Sequence, residues 1–201
     1  MRNIGLSFLV LTGGALAHAT PTGLARMPVA DILRHRELSL GYTIAGSPNG
    51  SREVLHVPGF EIGLFDRVEF GFDSDLRGGN TLDAKVLLWE SEMAALSVGI
   101  LGWQDNESSR YIVGRYDYKG MRFHGSLMRT PDANVAQFGI DFAFGPGTVM
   151  ADYTSGRGGY TWLGYAFSPM EHVSVTLAGG RPTDASGGYQ YYATVTYGMR
   201  F

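Results

Sequence analysis

The last ten residues, Tyr192-Ala193-Thr194-Val195-Thr196-Tyr197-Gly198-Met199-Arg200-Phe201, alternate strictly in character and end on a phenylalanine. In a β-strand successive side chains point to opposite faces. One face is therefore Ala193, Val195, Tyr197, Met199 and Phe201. The other is Tyr192, Thr194, Thr196, Gly198 and Arg200. A soluble sandwich buries alternate residues too, so this segment fixes strand and phase but leaves the solvent of each face open.

The other end narrows the choice. Met1-Arg2-Asn3 is a short positive region, Ile4 to Leu16 is mainly apolar, and Ala17-His18-Ala19 has the small-x-small form of a cleavage site. Residues 1–19 read as a secretory signal peptide removed before Thr20. The apolar run of 13 residues is too short for a membrane-spanning helix, which needs about 20. The chain has no cysteine, so disulfides and thiol catalysis are excluded. An exported chain with a closing strand that is apolar on one face, polar on the other and aromatic at its tip resembles bacterial outer-membrane β-barrels. That resemblance implies an outer-membrane location, contact with outer-membrane lipids, and Tyr197, Met199 and Phe201 as the signal for the barrel-assembly machinery.

Loss of residues 1–19 leaves 182 residues, enough for one domain. Charge then decides against one partner. Without Arg2 the formal balance is 15 basic against 19 acidic side chains, the opposite of the basic face that nucleic acid requires. The 29 glycines and 25 aromatic residues, beside only Lys85 and Lys119 as lysines, suit a tightly turned β protein. Mean hydropathy near zero fits a membrane barrel, because each strand averages a lipid face with a wet one.

Period two runs through the chain from Glu37 onward. Leu38, Leu40, Tyr42 and Ile44 share one face; Phe60, Ile62 and Leu64 alternate with Glu61 and Gly63; Val68, Phe70 and Phe72 with Glu69, Gly71 and Asp73. Leu82, Ala84, Val86 and Leu88 oppose Asp83, Lys85, Leu87 and Trp89. The same pattern recurs over 96–101, 136–144, 149–153, 163–167 and 173–177, and no helical template fits these windows. Residues 109–118 allow either phase; Ile112, Gly114, Tyr116 and Tyr118 are taken as the lipid face. Pro58 cannot donate to a ladder, so a bulge or break is expected there.

The connections alternate in kind. Phe65 to Arg67, Glu90 to Ala94, Lys119-Gly120, Gly145 to Gly147 and Ser168 to Glu171 are short, whereas 46–52, 74–80, 104–108, 130–133, 155–159 and 180–188 are generally longer and more polar. Tight periplasmic turns and looser outer loops are the order of a closed antiparallel up-and-down transmembrane β-barrel. The count is twelve strands, or ten if two weaker segments are not separate crossings. Aromatic residues fall in two bands: Phe65, Tyr116, Tyr118, Phe123, Phe142, Phe144, Phe167 and Phe201 near the short turns, and Tyr42, Phe72, Tyr153, Tyr160 and Tyr189 near the long loops. A sandwich has no use for such belts; a membrane barrel does. The expected organisation is a signal peptide (1–19), a lead-in at the periplasmic mouth or inside the lumen (20–36), and a barrel (37–201).

The inward face carries the polar chemistry. It holds Glu37, Glu61, Glu69, Asp73, Asp83, Lys85, Arg115, Asp117, Arg122, His124, Asp141, Asp152 and Arg200, charges that would be costly in hydrocarbon. The Lys119-Gly120 turn sets Asp117 opposite Arg122 and Arg115 opposite His124, so Asp117–Arg122 is the expected lumen ion pair. It either pins the hairpin or contributes to a charged constriction. His124-Gly125-Ser126 loosely resembles the His-x-Ser pair of outer-membrane lipid A deacylases, but the chosen phase turns both side chains inward and no acidic partner is evident. No catalytic, cofactor or metal site is assigned; Asp105-Asn106-Glu107 is too short for a calcium loop.

The lead-in, Thr20-Pro21-Thr22-Gly23-Leu24-Ala25-Arg26-Met27-Pro28-Val29-Ala30-Asp31, followed by Glu37-Leu38-Ser39-Leu40-Gly41-Tyr42, resembles the opening of YjbH-like outer-membrane barrels. The resemblance implies a link to envelope polysaccharide and brings no catalytic residues. Pro21, Gly23 and Pro28 prevent a long helix, with one or two helical turns expected over Val29 to Arg36. Two classes of function stay open: a non-catalytic barrel with a structural or narrow-pore role, and a lipid-modifying enzyme using His124 and Ser126.

Overall fold

The computed structural model describes residues 23–48, 54–77, 79–103, 108–184 and 187–201. The expected signal peptide and the Asp105–Glu107 loop lie outside them. Twelve antiparallel strands follow in order: β1 (Glu37–Gly46), β2 (Val54–Leu64), β3 (Val68–Ser74), β4 (Asn80–Glu90), β5 (Ala94–Leu101), β6 (Ser109–Tyr118), β7 (Met121–Arg129), β8 (Asn134–Phe144), β9 (Gly147–Thr154), β10 (Tyr160–Met170), β11 (Val173–Pro182) and β12 (Gln190–Arg200). Each pairs with its sequence neighbours, and β12 closes on β1 from Glu37↔Arg200 to Gly46↔Tyr191. The closed ring is the up-and-down barrel expected, at twelve strands and not ten. Closure is physically required, since an open edge in lipid would leave a row of backbone groups unsatisfied.

The two faces separate as the period demands. Leu40, Tyr42, Phe70, Ile112, Leu127, Phe138, Leu163, Val195 and Tyr197 are exposed on the outside, while Ser39, Thr43, Glu61, Asp83, Ser97, His124, Gln137, Asp141 and Thr194 are buried within. An apolar belt this continuous would drive a soluble protein to aggregate. In a bilayer it is the solvent-matched surface. Residues 109–118 take the chosen phase, with Tyr111 and Val113 buried and Ile112, Tyr116 and Tyr118 exposed.

The short turns explain the register. Lys119 and Gly120 have φ of 49° and 77°, the primed geometry that matches strand twist. Phe65 and Asp66 reach φ of 57° and 54° without glycine, a conformation costing about 1–2 kcal/mol per residue with a Cβ. The lead-in braces them. The His35 N–H donates to Asp66 Oδ1 at 2.8 Å, the Phe65 N–H donates to His35 Nδ1 at 3.2 Å, and the two rings stack 5.8 Å apart.

Five local expectations are corrected. Pro58 makes no break: β2 runs through it in register with Tyr42, and Pro58 lies just beyond the last β2–β3 pair, Gly59↔Asp73. A register shift between Leu87 and Trp89 sets Trp89 opposite Leu96, turning the indole outward instead of into the lumen. Tyr160 faces inward, where its ring lies 5.8 Å from that of Trp162, so it does not join the outer belt. β10 continues through Met170 past an irregularity, and the turn is Glu171-His172 with His172 at φ 64° rather than Ser168 to Glu171. Residues 29–36 form no helical turn: residues 29–34 are irregular, and a tight turn at His35-Arg36, with Arg36 at φ 65° and the Glu37 N–H donating to the Arg34 carbonyl at 3.0 Å, leads into β1.

Candidate functional site

Residues 24–33 of the lead-in enter the lumen and become its core, and His35 stays at the periplasmic β2–β3 turn. Leu24, Ala25, Met27, Val29, Ala30 and Ile32 are buried against Leu87, Ala95, Tyr111, Val113, Met128, Met150, Trp162, Ala178 and Tyr192 of the wall, with Met27 only 1% exposed and Ala30 0%. Sequence dictates part of this. The segment is short-chained and apolar at positions with no strand partner, and Pro28 removes a backbone donor that would otherwise need one.

Its polar groups are met one by one by different strands. The Arg26 N–H donates to Asp152 Oδ2 on β9 at 2.8 Å, and the Arg26 guanidinium lies 5.0 Å from the Trp162 ring centre and 5.8 Å from that of Tyr192. The Ser97 hydroxyl on β5 donates to the Ala30 carbonyl at 2.6 Å. Asp31 pairs with Arg115 of β6 and, at 3.2 Å, with Arg122 of β7. The Leu33 N–H donates to Glu69 Oε2 at 2.7 Å, and the other oxygen of Glu69 meets Lys85 at 3.0 Å. Below, the Arg34 guanidinium donates to both oxygens of Glu90 at 2.9 Å. Two wall glycines make room. A Cβ at Gly63 would fall on the carbonyls of Leu33 and Arg34, and one at Gly139 on the side chain of Leu24.

The lumen charges singled out from sequence are all on the inner wall, and Tyr197, Met199 and Phe201 are exposed on the outside, but the pairing of the charges differs from expectation. Asp117 is opposite Arg122, and Arg115 opposite His124, as the turn requires. The Asp117–Arg122 ion pair is nevertheless not formed among the described residues. Arg122 reaches the other way, its Nε donating to Asp141 Oδ1 at 2.7 Å, while Asp117 Oδ1 lies 3.2 Å from Arg115 Nε. Register places Arg122 equally opposite Asp141 on β8. The charge of Asp31, supplied from the lumen side, then draws both arginines inward. Asp83 and Lys85 sit with Glu61, Glu69 and Asp73 on the β2–β4 arc, all buried. Asp152 belongs to the opposite end of the lead-in.

His124 has the acidic partner that sequence did not reveal. Its Nε2 lies 2.9 Å from Asp141 Oδ2, and because a carboxylate only accepts, the proton is on Nε2. Ser126 shares the inner face, but its hydroxyl and His124 Nδ1 are both buried without a hydrogen-bond partner among the described residues. The trio faces a filled lumen and is turned away from lipid, so the geometry gives no support to a lipid-modifying site. What the contacts show is Asp141 accepting from both Arg122 and His124. Asp141→Asn, which keeps shape and removes charge, is expected to cost about 1.5–3 kcal/mol because two donors lose an ionised acceptor. Asp117→Asn is expected to stay within about 0.5 kcal/mol. Urea midpoints of the refolded barrels check the contrast.

Sequence reasoning missed Arg26, Asp31, Trp162 and Tyr192. The phase of β10 and β12 already pointed Trp162 and Tyr192 inward. Nothing periodic in the lead-in identified Arg26 and Asp31 as their counterparts.

No family description matches the chain, and no curated protein does. The YjbH-like likeness therefore rests on the lead-in residues alone. Solved structures do match. A KdgM porin in complex with disordered oligogalacturonate aligns with a TM-score of 0.61 at 12% identity, over 79% of this chain and 98% of that one. A second structure of KdgM porin gives 0.59 at 13% identity, with the same coverage. The COG4313 outer membrane channel from Pseudomonas putida F1 gives 0.53 at 12% identity, over 85% and 98%. With these folds and its own exposed apolar belt, the chain is a closed twelve-strand barrel of the bacterial outer membrane, similar in architecture to a porin and an outer-membrane channel.

Proposed function

We propose that this barrel is a narrow channel closed from within by residues 24–33, and that it passes neutral or cationic polar solutes in preference to anions. The observation that carries the reading is the buried course of the lead-in through the lumen, held at each step by hydrogen bonds and ion pairs that water or solute can replace. A barrel needs only about eight strands for side chains alone to fill it. Twelve strands enclose room for a further occupant, and here the chain supplies its own.

Selectivity follows from the lining. Among the described residues the inward strand positions carry the carboxylates Glu37, Glu61, Glu69, Asp73, Asp83, Glu90, Asp117, Asp141 and Asp152 against Lys85, Arg115, Arg122 and Arg200. Arg26 and Asp31 of the lead-in cancel. An acidic lining favours cations by the same electrostatics as charged filter rings, and opposes a polyanion such as the oligogalacturonate of the KdgM structure. The link to polysaccharide that the lead-in resemblance implies would have to run through uncharged sugars. The tilted rings of Tyr160, Trp162 and Tyr192, with neighbouring centroids 5.8 and 5.7 Å apart, would offer apolar faces to sugar rings once Arg26 leaves its place over Trp162 and Tyr192.

The test is a reversal potential in planar bilayers under a potassium chloride gradient. Cation preference is expected, lost or reversed when Asp73, Asp83 and Asp152 are changed together to asparagine. Anion preference in the unmodified protein would overturn the reading.

A further inference from the structure

On the outer wall, the loop-side ends of β6 and β7 bring two arginines together. Arg110 and Arg129 are directly opposite in register, both exposed and both on the lipid-facing phase, alternating with buried Ser109, Tyr111 and Met128. Like charges directly opposite each other on an antiparallel pair repel. No carboxylate among the described residues relieves them: neither arginine forms an ion pair, nor does Asp132 in the adjoining loop. Between them opens a cavity of about 310 Å³ lined by Ser108, Arg110, Arg129, Thr130 and Pro131. Two guanidinium forks and the Ser108 hydroxyl are a donor set matched to phosphate oxygens, while the Thr130 hydroxyl donates to the Ala133 carbonyl at 3.0 Å and shapes the rim.

What lies below the pair gives the phosphate a context. One step down the same outward face Ile112 stands opposite Leu127, which is 65% exposed, and Phe138 of β8 lies beside them at 61%. Cationic donors at the rim above an apolar wall reproduce the layering of a lipid, headgroup above chains. The rim in question is the loop side, which in such barrels faces outward, away from the short periplasmic turns. We infer that Arg110 and Arg129 form a binding site for the phosphate of a phosphorylated outer-leaflet lipid, whose chains lie along Ile112, Leu127 and Phe138.

The site is independent of the lumen, and so is its test. The full barrel is refolded in neutral detergent, and binding of diphosphorylated lipid A is followed by native mass spectrometry. The unmodified protein is expected to retain one lipid A at concentrations where Arg110→Gln with Arg129→Gln requires at least tenfold more. Arg110→Lys with Arg129→Lys, which keeps charge and loses the forks, should fall between. Arg157→Gln, in another outer loop, should bind as the unmodified protein does. Stability gives a second reading with opposite signs. Without lipid A the glutamine variant should be at least as stable as the parent, because a repulsion is gone, and added lipid A should raise the urea midpoint of the parent alone. Equal retention of dephosphorylated lipid A would overturn the proposal by showing that the chains suffice. Binding of inorganic phosphate with no preference for the lipid would overturn it by showing an anion site only.

Discussion

Valine at Gly63 is expected to open the channel without touching the segment that closes it. Gly63 faces inward near the periplasmic end of β2, and a side chain there would fall on the backbone carbonyls of Leu33 and Arg34. Backbone cannot rotate out of the way as a flexible side chain can, so the lead-in must leave its seat. Valine is itself a good strand residue, and the barrel wall should persist, as heat-modifiable gel mobility would show. Single-channel conductance in planar bilayers should rise on the order of tenfold, since the emptied lumen of a twelve-strand barrel is wider than side chains can fill. Deletion of residues 24–32 should reach the same conductance. Asp31→Ala, which removes the contacts to Arg115 and Arg122 but leaves those to Asp152 and Glu69, should lengthen open times with less change in amplitude. Gly125→Val is the control. It points to lipid with nothing within 4 Å of a new Cβ, and should conduct as the parent does. If Gly63→Val and the deletion both conduct no better than the parent, the lead-in is a permanent core and the barrel is structural.

Much of this architecture was legible because a membrane barrel imposes one physical rule on every strand. Each crossing residue meets either lipid or lumen, and no residue meets both, so the alternation of Leu38 to Ile44 or Ala136 to Phe144 reports the wall directly. Where the rule is locally relaxed, reading fails. Trp89 follows a bulge, which advances the pleat by one residue, and an alternation counted through it turns the indole to the wrong side. Tyr160 sits at a strand end, where aromatic character suits an interfacial belt and a lumen rim equally well. The pairing of Arg122 failed for another reason. Register states which backbones are opposite, but a long side chain between two neighbouring strands chooses by the charge in front of it. That charge was Asp31, carried by a segment without any strand period. The lead-in was the least legible part because its conformation is set by the cavity it fills. Its own sequence excludes a long helix through Pro28 and goes no further.

Replacement of Lys85 by methionine should be among the costliest single changes in the wall. Lys85 is the only basic residue among the inward positions of β2, β3 and β4, where Glu61, Glu69, Asp73 and Asp83 are all buried. It stands directly opposite Glu69, Nζ to Oε1 at 3.0 Å, with both side chains 3% exposed. Methionine fills nearly the same space, so packing is preserved and the electrostatic loss is isolated. Breaking a buried pair by removing one partner costs about 3–5 kcal/mol, because the other charge stays in the interior uncompensated. The urea midpoint of the refolded barrel should fall accordingly. Glu69→Gln in the same chain should recover a large part of the loss, since it removes the stranded charge and its amide oxygen can still accept the Leu33 N–H that now bonds Glu69 Oε2 at 2.7 Å. The double variant should therefore keep the lead-in seated and conduct like the parent. A Lys85→Met barrel as stable as the parent would mean that water reaches these carboxylates and that the β2–β4 arc is solvated rather than packed. Recovery of stability without recovery of closure would separate the wall from the gate, and place the seat of the lead-in in the charge of Glu69 more than in its hydrogen bond.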